Sequence, residues 1–495
     1  MIYKIMKKNL KLFLFLILFF SLFIFYFYLS NPFNKINIVS SIYEVVEING
    51  DLQLIKKRDL KLISNPLIKA IAWIKSGYHI FINVYFGGKK SVYSDVNLIK
   101  EDIYNERFNP KFPYLISGDH FNSFYPRNLG AFYIPTLDPR VDTDEKIWKD
   151  RQKIMLKSTA LAIDVFSQNN QPCTTIISLG FNYYTCISIY AYPSDSIYAL
   201  LFNLKAMLSS DDFKILYPYE KKELNLLTKK TAKNLLENNK DNLKKLIDDY
   251  YEYVYDKKTG LIKKNIYLSG MKDVAKRQGG FYDNVILWRT LELANDLGIR
   301  KISKKELDSY KKRIIKAYWY DKGGYFLEDL SEDSLKNKYY SSDWLVVMFT
   351  GFLKPAIKEE RFYYEKSFYY IDKYGLNRPF GLPYHKEKRG DQQYSIVRLF
   401  VNQYGNLAIW SFWGIEYAKA LLITGYFSNN YSYINEARFQ LDAYKKNIQK
   451  YRGFPEVYDK NGKLLKNFFY KSVWKTGWII NYHQAENIYK FVSKK

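Results

Sequence analysis

Apolar positions follow the 3.6-residue period of an α-helix over most of the chain beyond residue 106. Leu243, Leu246, Ile247, Tyr250 and Val254, for example, occupy one face of a predicted helix. Alternation typical of strands is concentrated near residues 173–191. The pattern predicts a mainly α fold with a small β-hairpin element. Similar helical stripes occur near 151–167, 220–237, 283–297, 303–317, 342–353, 406–424, 430–449 and 472–492.

The first apolar stretch is of a different kind, because Leu12–Leu29 contains no charged residue and is long enough to cross a membrane. Four lysines at positions 4, 7, 8 and 11 precede it, which by the positive-inside rule leaves the N-terminus in the cytoplasm. Bulky aromatic residues follow it where a signal peptide would have small ones. We therefore predict an uncleaved signal anchor within residues 1–30 and a single-pass cell-membrane protein whose remaining chain is extracytoplasmic.

The remaining chain divides into two parts. Residues 31–105 mix short apolar runs with polar breaks, include a predicted helix over 67–73, and are interpreted as a membrane-proximal spacer. Residues 106–495 carry the helical stripes, joined by loops too elaborate for a simple bundle. No tight sequence repeat is present, which argues against a short-period solenoid. We predict a barrel of about six helical hairpins with long loops at one end.

Charge and composition restrict the partners. Hydrophobic residues make up 47% of the 495 positions and aromatic residues 18%, which argues against disorder. The formal charge is +26, and it favours anionic partners. The lysines are scattered over predicted helix surfaces and no nucleic-acid-binding motif is present, so we expect no nucleic-acid partner. An anionic cell-surface polymer or a lipid surface remains open, and the oligomeric state is not predicted.

The two cysteines, Cys173 and Cys186, flank two strand-like runs around Leu179 and Gly180. A hairpin that turns at this dipeptide would place the cysteines directly opposite each other, and a disulfide would fit an oxidising compartment. Two buried thiols are the alternative.

The usual metal and nucleophile motifs are missing. The four histidines stand alone, and no zinc, phosphate or dinucleotide motif occurs in a suitable context, so we expect no metal and no cofactor. Instead, four loops place carboxylates beside glycine and aromatic residues, as sugar-binding sites do. The loops cover residues 117–133, 259–284, 403–413 and 453–478.

These loops resemble those of the six-hairpin glycosidases, (α/α)6-barrel enzymes that include processing α-glucosidase I, glycogen-debranching glucosidase domains, glucoamylase and trehalase. Ser269-Gly-Met-Lys-Asp273 resembles the loop with the general acid, with one residue inserted. Phe454-Pro-Glu-Val-Tyr-Asp-Lys-Asn-Gly462, followed by Ser472-Val-Trp474, resembles the loop with the general base. Arg127-Asn-Leu-Gly resembles an Arg-Asp pair that grips the terminal sugar, and Trp410 resembles the tryptophan that walls the site.

The resemblance implies an inverting glycoside hydrolase with Asp273 as acid and Glu456 as base, acting on an oligo- or polysaccharide. Lys272 is the inserted residue, and it leaves Asp283 as a second candidate for the acid. Asn128 stands where many members have Asp. The expected substrate-binding residues are Asp119, Arg127, Asn128, Tyr282, Asp283, Trp410 and Trp474.

Two other functions fit the same sequence. A polysaccharide lyase or uronyl epimerase acting on an anionic glycan would suit the positive charge. A non-catalytic glycan-binding protein could keep the fold without the acid, and Asn128 is the residue that raises this alternative.

Overall fold

The computed structural model describes Ser21 and residues 41–82, 90–108, 112–116, 118, 123–130, 145–188, 190–209, 227–268, 276–389, 401, 403–467 and 470–494. The described chain is mainly helical, as predicted. Its helices are α1 Pro66–Ile82, α2 Val96–Arg107, α3 Glu145–Asn169, α4 Ser194–Leu208, α5 Lys229–Asn238, α6 Lys240–Val254, α7 Phe281–Asp296, α8 Lys304–Tyr318, α9 Glu332–Asn337, α10 Val346–Thr350, α11 Lys358–Lys373, α12 Ser411–Ser428, α13 Tyr431–Tyr451 and α14 Ile479–Val492.

The strands are short and most form two-stranded hairpins. Two 3-10 turns, Pro126–Leu129 and Ser342–Leu345, also matter for the site. The strands are β1 Tyr43–Ile48, β2 Asp51–Lys56, β3 Lys61–Leu62, β4 Thr175–Gly180, β5 Tyr183–Ile187, β6 Tyr255–Asp256, β7 Leu261–Ile262, β8 Trp319–Tyr320, β9 Tyr325–Phe326, β10 Ile409–Trp410 and β11 Val457–Tyr458.

The helices form an inner and an outer layer, and their sequences differ accordingly. Outer helices are amphipathic: α6 buries one stripe, the one predicted from its spacing, and α8 does the same. The inner helices α4, α7 and α12 are instead buried on nearly every side. Around the ring, α4 contacts α7, α7 contacts α10, α10 contacts α12, and α12 contacts α14. Helix α2 then packs against α13 and α14, so the first and last helices of the ring meet.

Three of the connections that follow outer helices share the sequence Tyr-Asp-Lys followed by glycine. These turns are 255–260, 320–324 and 458–462, after α6, α8 and α13. Gly260, Gly324 and Gly462 have φ of +69°, +73° and +74°, in the left-handed region that favours glycine. In the first and third, the Asp side chain accepts hydrogen bonds from backbone amides of the turn. These turns lead the chain back towards the inner layer.

The β4–β5 hairpin is present, but its predicted register was wrong. The chain turns at Phe181 and Asn182, not at Leu179-Gly180, because the register shifts between Ser178 and Gly180. Cys186 therefore lies opposite Ile176, and Cys173 precedes β4. The two cysteines nevertheless form a disulfide, with 5.6 Å between their Cα atoms.

The segment before residue 106 contributes to the same core. Tyr43, Leu52, Ile99 and Ile103 belong to the main buried cluster, and α2 spans the predicted boundary at residue 105. The predicted anchor Leu12–Leu29 lies outside the described residues except for Ser21. Among the helices of the described residues, none combines the length and the apolar character needed to cross a membrane.

Candidate active site

Three elements of the inner layer begin with a buried aspartate in their first turn. Asp195 lies in α4, Asp283 in α7, and Asp343 in the 3-10 turn Ser342–Leu345 that precedes α10. The exposed fraction of each is 3% or less. Exposed backbone amides at a helix N-terminus favour negative charge, so this position suits carboxylates. The repeated placement brings several acidic groups to one end of the ring.

Asp343 is held by two partners. Arg277 forms an ion pair with Oδ2 of Asp343, and both side chains are almost fully buried. The Tyr384 hydroxyl donates a hydrogen bond of 3.1 Å to the same oxygen. The Arg277 guanidinium also lies 5.4 Å from the centroid of the Tyr282 ring. Asp343 is therefore held in place by an ion pair and a hydrogen bond.

Asp283 is in a different state. Burial raises its pKa to about 7, the nearby Asp195 and Asp343 carboxylates act in the same direction, and the Arg277 guanidinium opposes them. Oδ1 of Asp283 has no hydrogen-bond partner among the described residues. A Cβ at position 280 would lie 2.6 Å from Oδ2, so Gly280 leaves room for this carboxyl group. Asp283 can thus hold a proton near neutral pH.

The loop before α7 is fixed by the segment that follows β9. The Phe281 amide donates to the Glu328 carbonyl at 2.9 Å, and the Gln278 amide donates to Oδ2 of Asp329 at 3.1 Å. Asn284, which follows Asp283, accepts from the Ile262 amide at 3.0 Å and so ties α7 to β7. Asp283 therefore projects from a rigid helix start.

Glu328 itself is at the centre of a second buried cluster. His385 Nε2 lies 2.8 Å and Arg389 Nη1 2.6 Å from Oε2 of Glu328, and all three side chains are at most 1% exposed. Ser341 bridges to His385, so this cluster adjoins the segment that contains Asp343. The imidazole is held by a carboxylate, an arrangement that can also support proton transfer.

Glu456 lies in a loop that contacts the first residue of another inner helix, α12. Its amide donates to the Val473 carbonyl and its carbonyl accepts from the Ser411 amide, both at 3.0 Å, and Ser411 is the first residue of α12. Trp410 is paired with Val457 in the β10–β11 ladder. Glu456 is only partly buried, unlike the three aspartates.

Aromatic rings connect the aspartates with the Glu456 loop. The Tyr282 ring contacts Trp413 edge-on at 6.2 Å between centroids, and Tyr384 lies 6.5 Å from Trp413 and 6.4 Å from Trp410. Trp410 continues to Trp478 at 6.0 Å. Trp410 is 1% exposed, and its Nε1 donates to the Tyr404 carbonyl at 2.7 Å. These rings form a continuous aromatic layer between the buried aspartates and the Glu456 loop.

Trp474 follows Val473, whose carbonyl accepts the hydrogen bond from the Glu456 backbone amide. Nζ of Lys471 and Nζ of Lys90 are 4.1 and 5.0 Å from its ring centroid. A Cβ at position 453 would lie 2.3 Å from the Trp474 carbonyl oxygen, so only glycine permits this close approach. Lys475, next in sequence, binds Asp102 at 2.9 Å and Glu106 at 2.6 Å on α2.

Arg127 and Asn128 lie in the 3-10 turn Pro126–Leu129, which packs against α4, the helix that carries Asp195. Asn128 is buried, and its backbone N–H donates a hydrogen bond of 2.9 Å to the Tyr125 carbonyl. Arg127 is partly exposed, and its guanidinium lies 5.6 Å from the Tyr125 ring centroid.

Two predicted residues, Asp119 and Asp273, lie outside the described residues. Sequence reasoning missed Asp195, Asp343 and Arg277. An available signal was the acidic residue in the first turn of a strongly apolar helix, which Asp195 and Asp283 share. Within the described residues, no group of three or more His, Cys, Asp and Glu side chains is placed to hold a metal ion.

No family model matches the chain, and a search of curated proteins finds no match. Solved structures do match. Glucoamylase from Saccharomycopsis fibuligera has a TM-score of 0.51 at 10% identity, covering 83% of this chain and 98% of that chain. Cellobiose 2-epimerase from Spirochaeta thermophila DSM 6192 has a TM-score of 0.50 at 9% identity, covering 87% and 99%. The chain has the (α/α)6-barrel fold of the six-hairpin glycosidase group. At these identities the likeness concerns the fold alone.

Proposed function

We propose that the protein is a glycoside hydrolase that works with two carboxylates. The observation that carries the proposal is the contrast between Asp283, which is buried with a pKa of about 7, and the partly exposed Glu456 at the start of α12. Glycoside hydrolysis needs one carboxyl group that keeps its proton near neutral pH and one that is ionised.

In the proposed mechanism, Asp283 donates its proton to the glycosidic oxygen as the bond to the anomeric carbon breaks. Glu456 removes a proton from a water molecule that attacks that carbon from the opposite face. The products are a free alcohol and a sugar of inverted anomeric configuration. Asp273 is the other candidate for the acid and remains a prediction from the sequence.

The sugar is proposed to be held by the residues around these two groups. Arg127 and Asn128 would donate hydrogen bonds to hydroxyls of the terminal sugar, with Asp119 as a further partner. Trp474 would stack on a pyranose ring, while Tyr282 and Trp410 would exclude water from the carboxylates.

The proposal is tested by incubating the purified chain with a panel of neutral and acidic oligosaccharides and measuring new reducing ends. We expect release from at least one substrate by the native chain and loss of that release in Glu456→Gln. Binding of a sugar with neither new reducing ends nor any change in the sugar itself would support a non-catalytic glycan-binding protein instead.

The buried pair of His385 and Glu328 favours a second candidate, a sugar epimerase or a polysaccharide lyase. A histidine oriented by a carboxylate can remove a proton from carbon, which both reactions require. The same panel separates these functions once the products are identified as well. An epimerase changes sugar configuration without new reducing ends, whereas a lyase gives new reducing ends together with an unsaturated product that absorbs ultraviolet light.

We also propose that residues 1–30 anchor the protein in the cell membrane with the barrel on the extracytoplasmic side. The charge-free run Leu12–Leu29 behind four lysines supports this topology. Protease added to intact cells should degrade the barrel. Survival of the whole chain would show that the barrel lies on the cytoplasmic side and would contradict this topology.

A further inference from the structure

Helix α1 has its large apolar side chains on the outside. Its buried residues are small, Ala72 at 3% and Ser76 at 5% exposed, and the helix packs against β4 and β5. Asn65 begins the helix, with Oδ1 accepting from the amides of Leu67 and Ile68. A helix that only covered the barrel would present its larger apolar residues inward.

The outward face is formed by large apolar residues that are close together along the helix. Their exposed fractions are 69% for Leu67, 57% for Trp73, 43% for Ile74, 39% for Ile71 and 37% for Ile68. Leu67, Ile71 and Ile74 follow the i, i+4, i+7 spacing, so they form one stripe. A contiguous apolar surface of this kind marks an interaction site, because water exposure of each side chain is unfavourable.

Three features identify a lipid surface as the partner. Lys69 and Lys75 lie on the same helix, and exposed Arg58 and Lys61 lie shortly before it in the sequence, so basic residues accompany the apolar stripe along the chain. Trp73 has the amphipathic ring that is favoured at membrane interfaces. Residues 30–42 link the run Leu12–Leu29 to β1 and can extend over at most about 45 Å.

We propose that α1 lies on the outer surface of the membrane, with Leu67, Ile71, Trp73 and Ile74 inserted among the lipids and the basic residues facing anionic headgroups. The inference rests on the proposed membrane anchor but not on the proposed sugar chemistry. It gives the barrel a second membrane contact and thereby a fixed orientation.

The test uses the full-length chain in vesicles of phosphatidylcholine and phosphatidylglycerol. Ile71→Cys carries an environment-sensitive NBD fluorophore, and the two native cysteines are already joined in a disulfide. Tyr369→Cys is the control, at a residue of the outer helix α11 that is 69% exposed and so is more accessible than Ile71 at 39%. Brominated acyl chains quench a fluorophore that touches them.

We expect brominated lipids to lower the emission at position 71 roughly twofold and to leave position 369 unchanged. Equal, weak quenching at both positions would overturn the proposal. A blue-shifted but unquenched fluorophore at 71 would also overturn it, because protein would then cover the helix. Co-flotation of the chain with vesicles reports the anchor separately from the contact of α1.

Discussion

Asp283 and Glu456 occupy opposite environments at the same end of the ring. Asp283 is enclosed by Tyr282, Arg277 and two further carboxylates, and burial raises its pKa to about 7. Glu456 lies in a loop between β11 and α13 and is partly exposed. These environments fit the two proposed roles. Asp283 as the acid must retain its proton in a dry environment, and Glu456 as the base must reach water.

The two groups are also held in place by different means. Asp283 lies in the first turn of a buried helix that begins directly after Gly280, and hydrogen bonds to Glu328 and Asp329 fix the preceding loop. The backbone of the Glu456 loop is hydrogen-bonded to Val473 in the neighbouring segment. Lys475 of the same segment binds two carboxylates of α2. The acid is therefore positioned by the barrel core, whereas the base is positioned by a contact between the first and last helical pairs.

Replacement of the base should give the largest effect. Glu456→Gln keeps the size of the side chain but cannot accept a proton, so we expect kcat to fall by about 10²–10⁴-fold with little change in KM. Glu365→Gln, on the outer face of α11, is the control and should retain full activity. Unchanged turnover in Glu456→Gln would remove Glu456 from the mechanism.

Replacement of the acid should depend on the leaving group. Asp283→Asn should reduce hydrolysis of natural glycosides by about 10²–10⁴-fold, but hydrolysis of nitrophenyl glycosides much less, since nitrophenolate leaves without protonation. Asp273→Asn is assayed in parallel. If Asp273→Asn shows this dependence and Asp283→Asn does not, the acid is Asp273.

Asp283 should also make stability depend on pH. Its pKa rises from the ordinary value of 3.8 to about 7 on folding, so the folded state binds the proton more tightly. Stability is then lost as pH rises from about 4 to 7, by at most about 4 kcal/mol. In urea unfolding, the free energy of unfolding of Asp283→Asn should increase relative to that of the native chain as the pH is raised from 4 to 7. A difference that is constant with pH would contradict the raised pKa.

The smallest effect is expected at Lys475. Lys475→Met removes the ion pairs with Asp102 and Glu106, which should let the Glu456 loop shift and lower kcat by about 10-fold, with Lys475→Arg restoring most of it. Lys100→Met is the matched control. Lys100 is similarly buried and lies on α2, the helix that carries Asp102 and Glu106, but it binds Glu486 at 3.2 Å. Equal losses in both variants would indicate a general role in folding.

Much of the fold could be predicted because the outer helices are amphipathic. The face of α6 was read from its spacing, and most other stripes correspond to helices. Helix α4, which is buried on nearly every side, was not among the predicted stripes. The three Tyr-Asp-Lys turns followed by glycine were also overlooked, since the segments between them differ in length.

The candidate site was only partly predictable. Local motifs predicted Tyr282, Asp283 and Glu456 as site residues, because aromatic and glycine residues adjoin them in sequence. Arg277 and Asp343 are 66 residues apart, and nothing near either residue indicates their ion pair. Such contacts depend on the closure of the ring, which a single sequence does not reveal.

The most direct test of the proposed inverting mechanism, with Glu456 as the base, is the configuration of the first product. Proton NMR spectra recorded within minutes of adding the native chain to a cleaved substrate distinguish the α and β anomers before they equilibrate. The account predicts the anomer opposite to that of the substrate, with no such product from Glu456→Gln. Release of the same anomer, or a rearranged sugar without cleavage, would contradict it.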